Sequence, residues 1–178
     1  MKILAPDLYK IILTNKNMRT SSRNLYIIKG SERSLMIDTS WNVPECLSEM
    51  EQALNELSID CRDLDIFVTH NHVDHSGYVS FFTDRGARAF MNPVEIAASS
   101  DRYHRFYEDN DMRRSYTSEV GVTKERTPDA WQEIKAGADQ LARDNNVNFD
   151  FPFTPIAPGD RLSYGGYDFE VVSLAGHT

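Results

Sequence analysis

The sequence predicts an α/β fold, and three observations carry that reading. Short apolar runs of strand length recur at 25–28, 35–37, 66–69 and 87–91. A helix-spaced apolar stripe lies between the second and third of them, and strands return after Phe153. The order through Met91 is β-β-α-β-α-β.

Each element has a local cause. Residues up to about 40 read as extended, and the runs 25–28 and 35–37 flank the polar, Gly-containing turn Lys29-Gly30-Ser31-Glu32-Arg33-Ser34, which predicts a β-hairpin. A helix is expected over about 44–57. Leu47, Met50, Leu54 and Leu57 recur at three- and four-residue steps, Pro44 suits the first turn, and Glu45 complements the positive helix end. A buried strand at 66–69 follows, then a helix from Asp74 or Ser76 to about Phe82, then the strand 87–91. Residues 92–146 are polar, charged and helical in pattern. Pro93 can open one helix there and Thr127-Pro128-Asp129 another, with Trp131, Ile134, Ala138 and Leu141 as its apolar stripe. Strands are expected at 160–164 and 167–174 around the two-residue turn Gly165-Gly166. No repeat or linker divides the chain, so residues 1–178 are expected to form a single domain.

Composition excludes several classes. A net charge of −8 and a pI near 5.1 argue against nucleic acid as a partner. No export leader or membrane-spanning stretch is evident, and Cys46 and Cys61 fit reduced packing thiols, so a cytoplasmic location without membrane association is expected.

Function is concentrated in Thr69-His70-Asn71-His72-Val73-Asp74-His75-Ser76-Gly77, directly after the apolar run Leu64-Asp65-Ile66-Phe67-Val68. Crowded imidazoles lose solvation and repel when protonated, unless a cation holds them neutral. On extended backbone, residues two apart share a face, which would align His70, His72 and Asp74 as the strand gives out. His75 steps to the side, where with Asp74 it can serve a second ion, and Gly77 leaves the backbone uncrowded near the metals. Imidazole and carboxylate suit zinc, with iron or manganese as alternatives.

This run resembles the THxHxDHxG signature of the metallo-β-lactamase superfamily at every fixed position. The likeness extends to Asn24-Leu25-Tyr26-Ile27 and Leu35-Met36-Ile37-Asp38-Thr39, followed by Ser40 where the family usually has Gly. It extends also to Pro158-Gly159-Asp160, Gly165-Gly166 and Ala175-Gly176-His177-Thr178, with Ala175 where Pro is common. The resemblance implies an αββα sandwich, here with an incomplete second sheet and a helical insertion at about 92–146. It implies that His70, His72 and His177 bind one zinc ion, and that Asp74 and His75 bind a second. A hydroxide held there would attack an ester, thioester, lactone or amide carbonyl of a small molecule, with Asp74 orienting it and passing its proton to the leaving group. Asp38 would stand behind the ligands or stabilise a turn.

The family pattern continues beyond the position of Thr178 with a bridging aspartate and a further histidine. The chain is therefore expected to be a shortened form of a longer enzyme, to fill its first metal position more readily than its second, and to associate with itself. His104 reads as a solvated helix residue. The insertion's Tyr103, Phe106, Tyr107, Tyr116 and Trp131, with Arg102, Arg105, Arg113 and Arg114, suit either a lid for an anionic substrate or a packed surface helix pair. Two other functions stay open. One is iron-dependent redox chemistry: flavodiiron reductases are similar around Asp74-His75-Ser76-Gly77 but generally place Glu where His72 stands, and persulfide dioxygenases use one iron in this fold. The other is a non-catalytic metal-binding or interaction remnant.

Overall fold

The computed structural model describes residues 1–15, 22–100, 126–129, 151–174 and 176. The stripe of Trp131, Ile134, Ala138 and Leu141, the insertion's arginines and aromatics, His104 and His177 all lie outside the described residues.

A seven-stranded sheet runs in chain order. It comprises β1 (Lys2–Ala5), β2 (Leu8–Thr14), β3 (Ser22–Ile28), β4 (Ser34–Ile37), β5 (Leu64–Val68), β6 (Arg88–Met91) and β7 (Phe153–Pro155). The first four pair antiparallel, whereas β4–β5, β5–β6 and β6–β7 are parallel. The expected hairpin is present, with Ile28 opposite Leu35. Helix α1 (Pro44–Glu56) matches its predicted span. It buries Cys46, Met50, Ala53 and Leu54. Both cysteines are free thiols, and burial pushes each pKa up. No helix among the described residues is long and apolar enough to cross a membrane.

The expected helix at 74–82 is instead two short pieces, α2 (Val73–Ser76) and α3 (Val79–Thr83). Between them the Tyr78 amide donates to Thr39 Oγ1 at 3.2 Å rather than continuing a helical ladder. The tie to Thr39 breaks the helix. Helix α4 (Pro93–Ser100) opens at Pro93 as expected, and Pro128 and Asp129 are helical behind Thr127.

Strand alternation divides the sheet's faces. Leu13, Leu25, Met36, Ile66 and Met91 point to one side and join α1 and α3 in the main core. Ile28, Leu35 and Asp65 share the opposite face, since Ile28 pairs with Leu35 and Leu35 with Asp65. There a second sheet of β8 (Arg161–Tyr164) and β9 (Tyr167–Glu170) begins. Its turn residues Gly165 and Gly166 have φ of +56° and +79°, the left-handed pair that a two-residue hairpin needs. Strand β9 ends at Glu170, earlier than the expected 174, although Val171 still exchanges backbone hydrogen bonds with the 159–160 segment.

Asp65 ties the layers together. Its carboxylate is fully buried and accepts from Arg33 Nε and Nη2 at 2.9 and 2.7 Å, and from Arg88 Nε and Nη2 at 2.7 and 2.5 Å. Tyr164 Oη donates to it at 2.6 Å from β8. Burial works to raise the Asp65 pKa, but the donations from Arg88, Arg33 and Tyr164 outweigh it, and the net shift is downward.

Candidate metal centre

The parallel strands β4 and β5 end side by side, and the histidine-rich segment grows from that shared end. Asp38 follows β4 directly. Its amide donates to the Phe67 carbonyl at 2.8 Å, and its φ of +63° turns the chain sharply out of the sheet. Asp tolerates this left-handed conformation better than most residues. Its carboxylate then faces the end of β5. The Thr69 amide donates to Asp38 Oδ1 at 2.8 Å, and Thr69 Oγ1 lies 3.0 and 2.9 Å from the two carboxylate oxygens.

These contacts set the tautomers of His75 and His70. An ionised carboxylate only accepts, so His75 Nδ1, 2.7 Å from Asp38 Oδ2, must carry its proton and donate. Thr69 Oγ1 gives its one proton to Asp38 and can therefore accept from His70 Nδ1 at 3.0 Å. Both assignments follow from the hydrogen-bond network. Nε2 of His70 and Nε2 of His75 each keep a lone pair. That is the tautomer a metal ligand requires.

Each Nε2 lies near another side chain of the segment. His70 Nε2 lies 3.1 Å from His72 Nδ1. With His70 Nδ1 donating to Thr69, His70 Nε2 accepts and His72 Nδ1 donates, so the two rings are hydrogen-bonded to each other. His75 Nε2 lies 3.7 Å from Asp74 Oδ2, and the rings of His70 and His75 are 4.0 Å apart between centroids. The structure therefore brings His70, His72, Asp74 and His75 together, by a different route from the one expected. His70 sits in a bend, His72 is the N-cap of α2, and Asp74 lies in that helix's first turn rather than on extended backbone. Among the described residues, no group of three or more His, Cys, Asp or Glu is arranged to hold an ion. The fifth expected ligand, His177, lies outside the described residues.

The segment is fastened from several sides. The His75 carbonyl accepts from Thr39 N at 2.7 Å and from Thr39 Oγ1 at 2.9 Å. The Asn71 amide donates to Glu95 Oε2 on α4 at 2.9 Å, and Ser76 Oγ donates to the His72 carbonyl at 2.9 Å. Gly77 has a different role from clearing space near a metal. A Cβ there would stand 2.3 Å from the Ser40 carbonyl oxygen and 2.8 Å from the Asn42 amide nitrogen. Gly77 lets α2 press onto the 40–42 segment. Gly77→Ala is expected to destabilise the fold by about 1–3 kcal/mol, the usual cost of overpacking. Urea unfolding would check this; an unchanged midpoint would refute the close-packing role.

Sequence reasoning passed over Thr69 as the relay to His70, Glu95 as a tether, and Arg23. The Arg23 guanidinium reaches from β3 to the Asp74 carboxylate and lies 5.4 Å from the Trp41 ring centroid. Nothing in the local sequence around Arg23 signals that reach.

No family model and no curated protein matches the sequence. Solved structures do match the fold. A metallo-beta-lactamase family protein from Thermus thermophilus is similar at TM-score 0.64 and 22% identity, over 96% of this chain and 52% of that one. A beta-lactamase domain protein from Burkholderia ambifaria is similar at TM-score 0.67 and 17% identity, over 95% and 47%. The chain has the metallo-β-lactamase fold. At these identities the likeness concerns architecture. This metallo-β-lactamase-fold chain spans about half the length of the two structures. Its mixed sheet, outer helices and first strands of a second sheet agree with the expected αββα arrangement.

Proposed function

We propose that the chain carries the metal-binding part of a hydrolase acting on an ester, thioester, lactone or amide carbonyl in a small molecule. One observation supports this above others. Asp38 and Thr69 engage the Nδ1 atoms of His75 and His70, and the two Nε2 atoms are turned toward His72 Nδ1 and Asp74 Oδ2.

In this reading His70 and His72, with His177, would hold one ion, while Asp74 and His75 would hold a second. Zinc suits the nitrogen-rich set best, with iron or manganese as alternatives. When bound, the metal supplies Lewis acidity and a water whose pKa is near 7. The protein's own groups do the rest. Asp38 fixes the ring plane of His75 and Thr69 fixes that of His70, and Asp74 would orient a water and hand a proton to the leaving group. The substrate is proposed to be anionic, and the chain to associate with itself, since Ile12, Val172 and Leu174 are 57%, 63% and 87% exposed.

Metal analysis of the purified chain tests the reading. Zinc at one to two equivalents is expected, falling by one equivalent in a His70→Ala/His72→Ala variant. Hydrolysis of a panel of thioesters, lactones and esters should fall with it. Iron in place of zinc would favour redox chemistry. No bound metal after reconstitution would remove the hydrolase reading. Light scattering on the same sample should give a mass above that of a monomer.

A further inference from the structure

We propose that an apolar row on the outer face of the main sheet docks a second copy of this chain, so that two sheets stack face to face. The inference rests on the self-association proposed above, for which it supplies the surface, and not on the metal site.

Strand register lines the row up. Tyr26 pairs with Ile37, Ile37 with Phe67, and Phe67 with Phe90, which sets four side chains side by side across β3, β4, β5 and β6. Each lies two residues from Ile28, Leu35, Asp65 or Arg88 on its own strand, hence on the face away from the main core. None of the four belongs to that core, and all are half-buried, whereas Ile28, Leu35 and Asp65 in the adjoining row are buried. The β8–β9 hairpin makes the difference. Tyr164 donates to Asp65, Tyr167 Oη donates to the Pro6 carbonyl at 2.6 Å, and a Cβ on Gly165 would stand 2.9 Å from Ile28 Cγ2. These contacts fasten the hairpin over the Ile28–Leu35–Asp65 row. Its inward residues Leu162 and Phe169, which pair with each other, are half-buried like the row beside them. Ile12, two residues from Lys10 and on the same face, is 57% exposed.

Charge and symmetry select the occupant. Each chain carries a net charge of −8, so two copies repel wherever their acidic surfaces meet. The solvent side of the hairpin, with Asp168 and Glu170 exposed, is such a surface. Tyr26, Ile37, Phe67 and Phe90 bring no ionised group to a contact between equivalent faces. Lys10 stands opposite Tyr26 at the margin of the row, where its long stem keeps the ammonium in water. A two-fold axis along the row lays it on its own equivalent and puts the two hairpins at opposite ends, clear of each other. Two identical sheets share one twist, which lets them pack about 10 Å apart with aromatic side chains between them. The helices of both chains then lie outside.

Sedimentation velocity on the full chain across a concentration series tests this. A dimer of twice the 20.4 kDa chain mass is expected. Phe67→Lys should raise the dimer dissociation constant about tenfold or more, because a charge replaces an aromatic ring at the centre of the contact. Ile12→Lys should act in the same direction at an exposed position, and it serves if Phe67→Lys fails to fold. Val94→Lys, 74% exposed on α4, should leave the constant unchanged. Circular dichroism verifies folding of every variant. Added salt should tighten the dimer, since it screens repulsion between two acidic chains and leaves apolar burial in place, whereas an ion-paired interface would loosen. A dimer untouched by both Lys variants of the face, or loosened by salt, would overturn the proposal while leaving self-association standing. A monomer at every concentration, or a different polypeptide co-purifying in place of the second copy, would bring down both. Zinc uptake is read separately: a zinc-binding monomer keeps the metal-site reading, and a zinc-free dimer keeps this inference.

Discussion

Asp65→Ala is expected to lose about 3–5 kcal/mol of stability, enough to leave little folded protein in a domain of ordinary stability. The effect comes from what the substitution leaves behind. Asp65 is fully buried between two arginines, and its removal strands the Arg33 and Arg88 guanidiniums beside each other without a counter-charge. Tyr164 loses its acceptor as well, which loosens the β8–β9 hairpin from the main sheet. Tyr164→Phe removes only one donor, so it should cost less, about 1.5–3 kcal/mol for a bond to a charged group. Asp65 also makes stability depend on pH in a defined direction. Its folded pKa lies below that of an unfolded carboxylate near 3.9, so the unfolded chain binds its proton first on acidification. The stabilisation is complete above roughly pH 5 and declines as pH falls through the depressed folded value. Urea midpoints from pH 7 down to pH 3 would measure this. An Asp65→Asn variant that matched the wild type at pH 7, or kept an equally steep acid decline, would contradict the account.

Asp38→Ala is expected to damage both stability and metal binding. Its carboxylate serves Thr69 N, Thr69 Oγ1 and His75 Nδ1 at once, so deletion should cost about 2–4 kcal/mol. Loss of a carboxylate behind a ligating histidine typically weakens metal binding about 10–100-fold, and the same is expected here. The positive φ at Asp38 adds a backbone contribution that two companion variants separate. Asp38→Gly relaxes the backbone and removes the carboxylate, whereas Asp38→Asn tolerates the left-handed conformation and keeps the size. If metal affinity survives in Asp38→Gly, the carboxylate is not what orients His75. Zinc titration beside thermal unfolding of the three variants decides the matter.

Asp65 marks where reading along the chain runs out, whereas Asp38 was already expected behind the histidines or in a turn. Helix α1 was legible because Leu47, Met50 and Leu54 repeat at helical spacing behind Pro44, a signal contained within thirteen residues. The β3–β4 and β8–β9 hairpins were legible for the same reason, since their turns carry the glycines or polar residues that tight reversal demands. Asp65 offered no such signal. A single carboxylate inside Leu64-Asp65-Ile66-Phe67-Val68 looks like an interruption of an apolar run, and its partners come from three other strands or turns. The break between α2 and α3 was equally hidden, because a hydroxyl on Thr39 takes the Tyr78 amide that a longer helix would have used.

The amino-acid order by itself determined the α/β class, the sequence of strands and helices, and the cluster of donors at 70–75. Those features depend on neighbours a few residues apart, where periodicity and turn chemistry act. Only the tertiary structure decided that Asp38 and Thr69 engage the Nδ1 atoms of His75 and His70, that Asp65 locks two sheets together, and that Arg23 meets Asp74. These depend on strand ends and side chains brought together across long stretches of chain, and their identity is fixed by sheet register and charge pairing rather than by any local pattern.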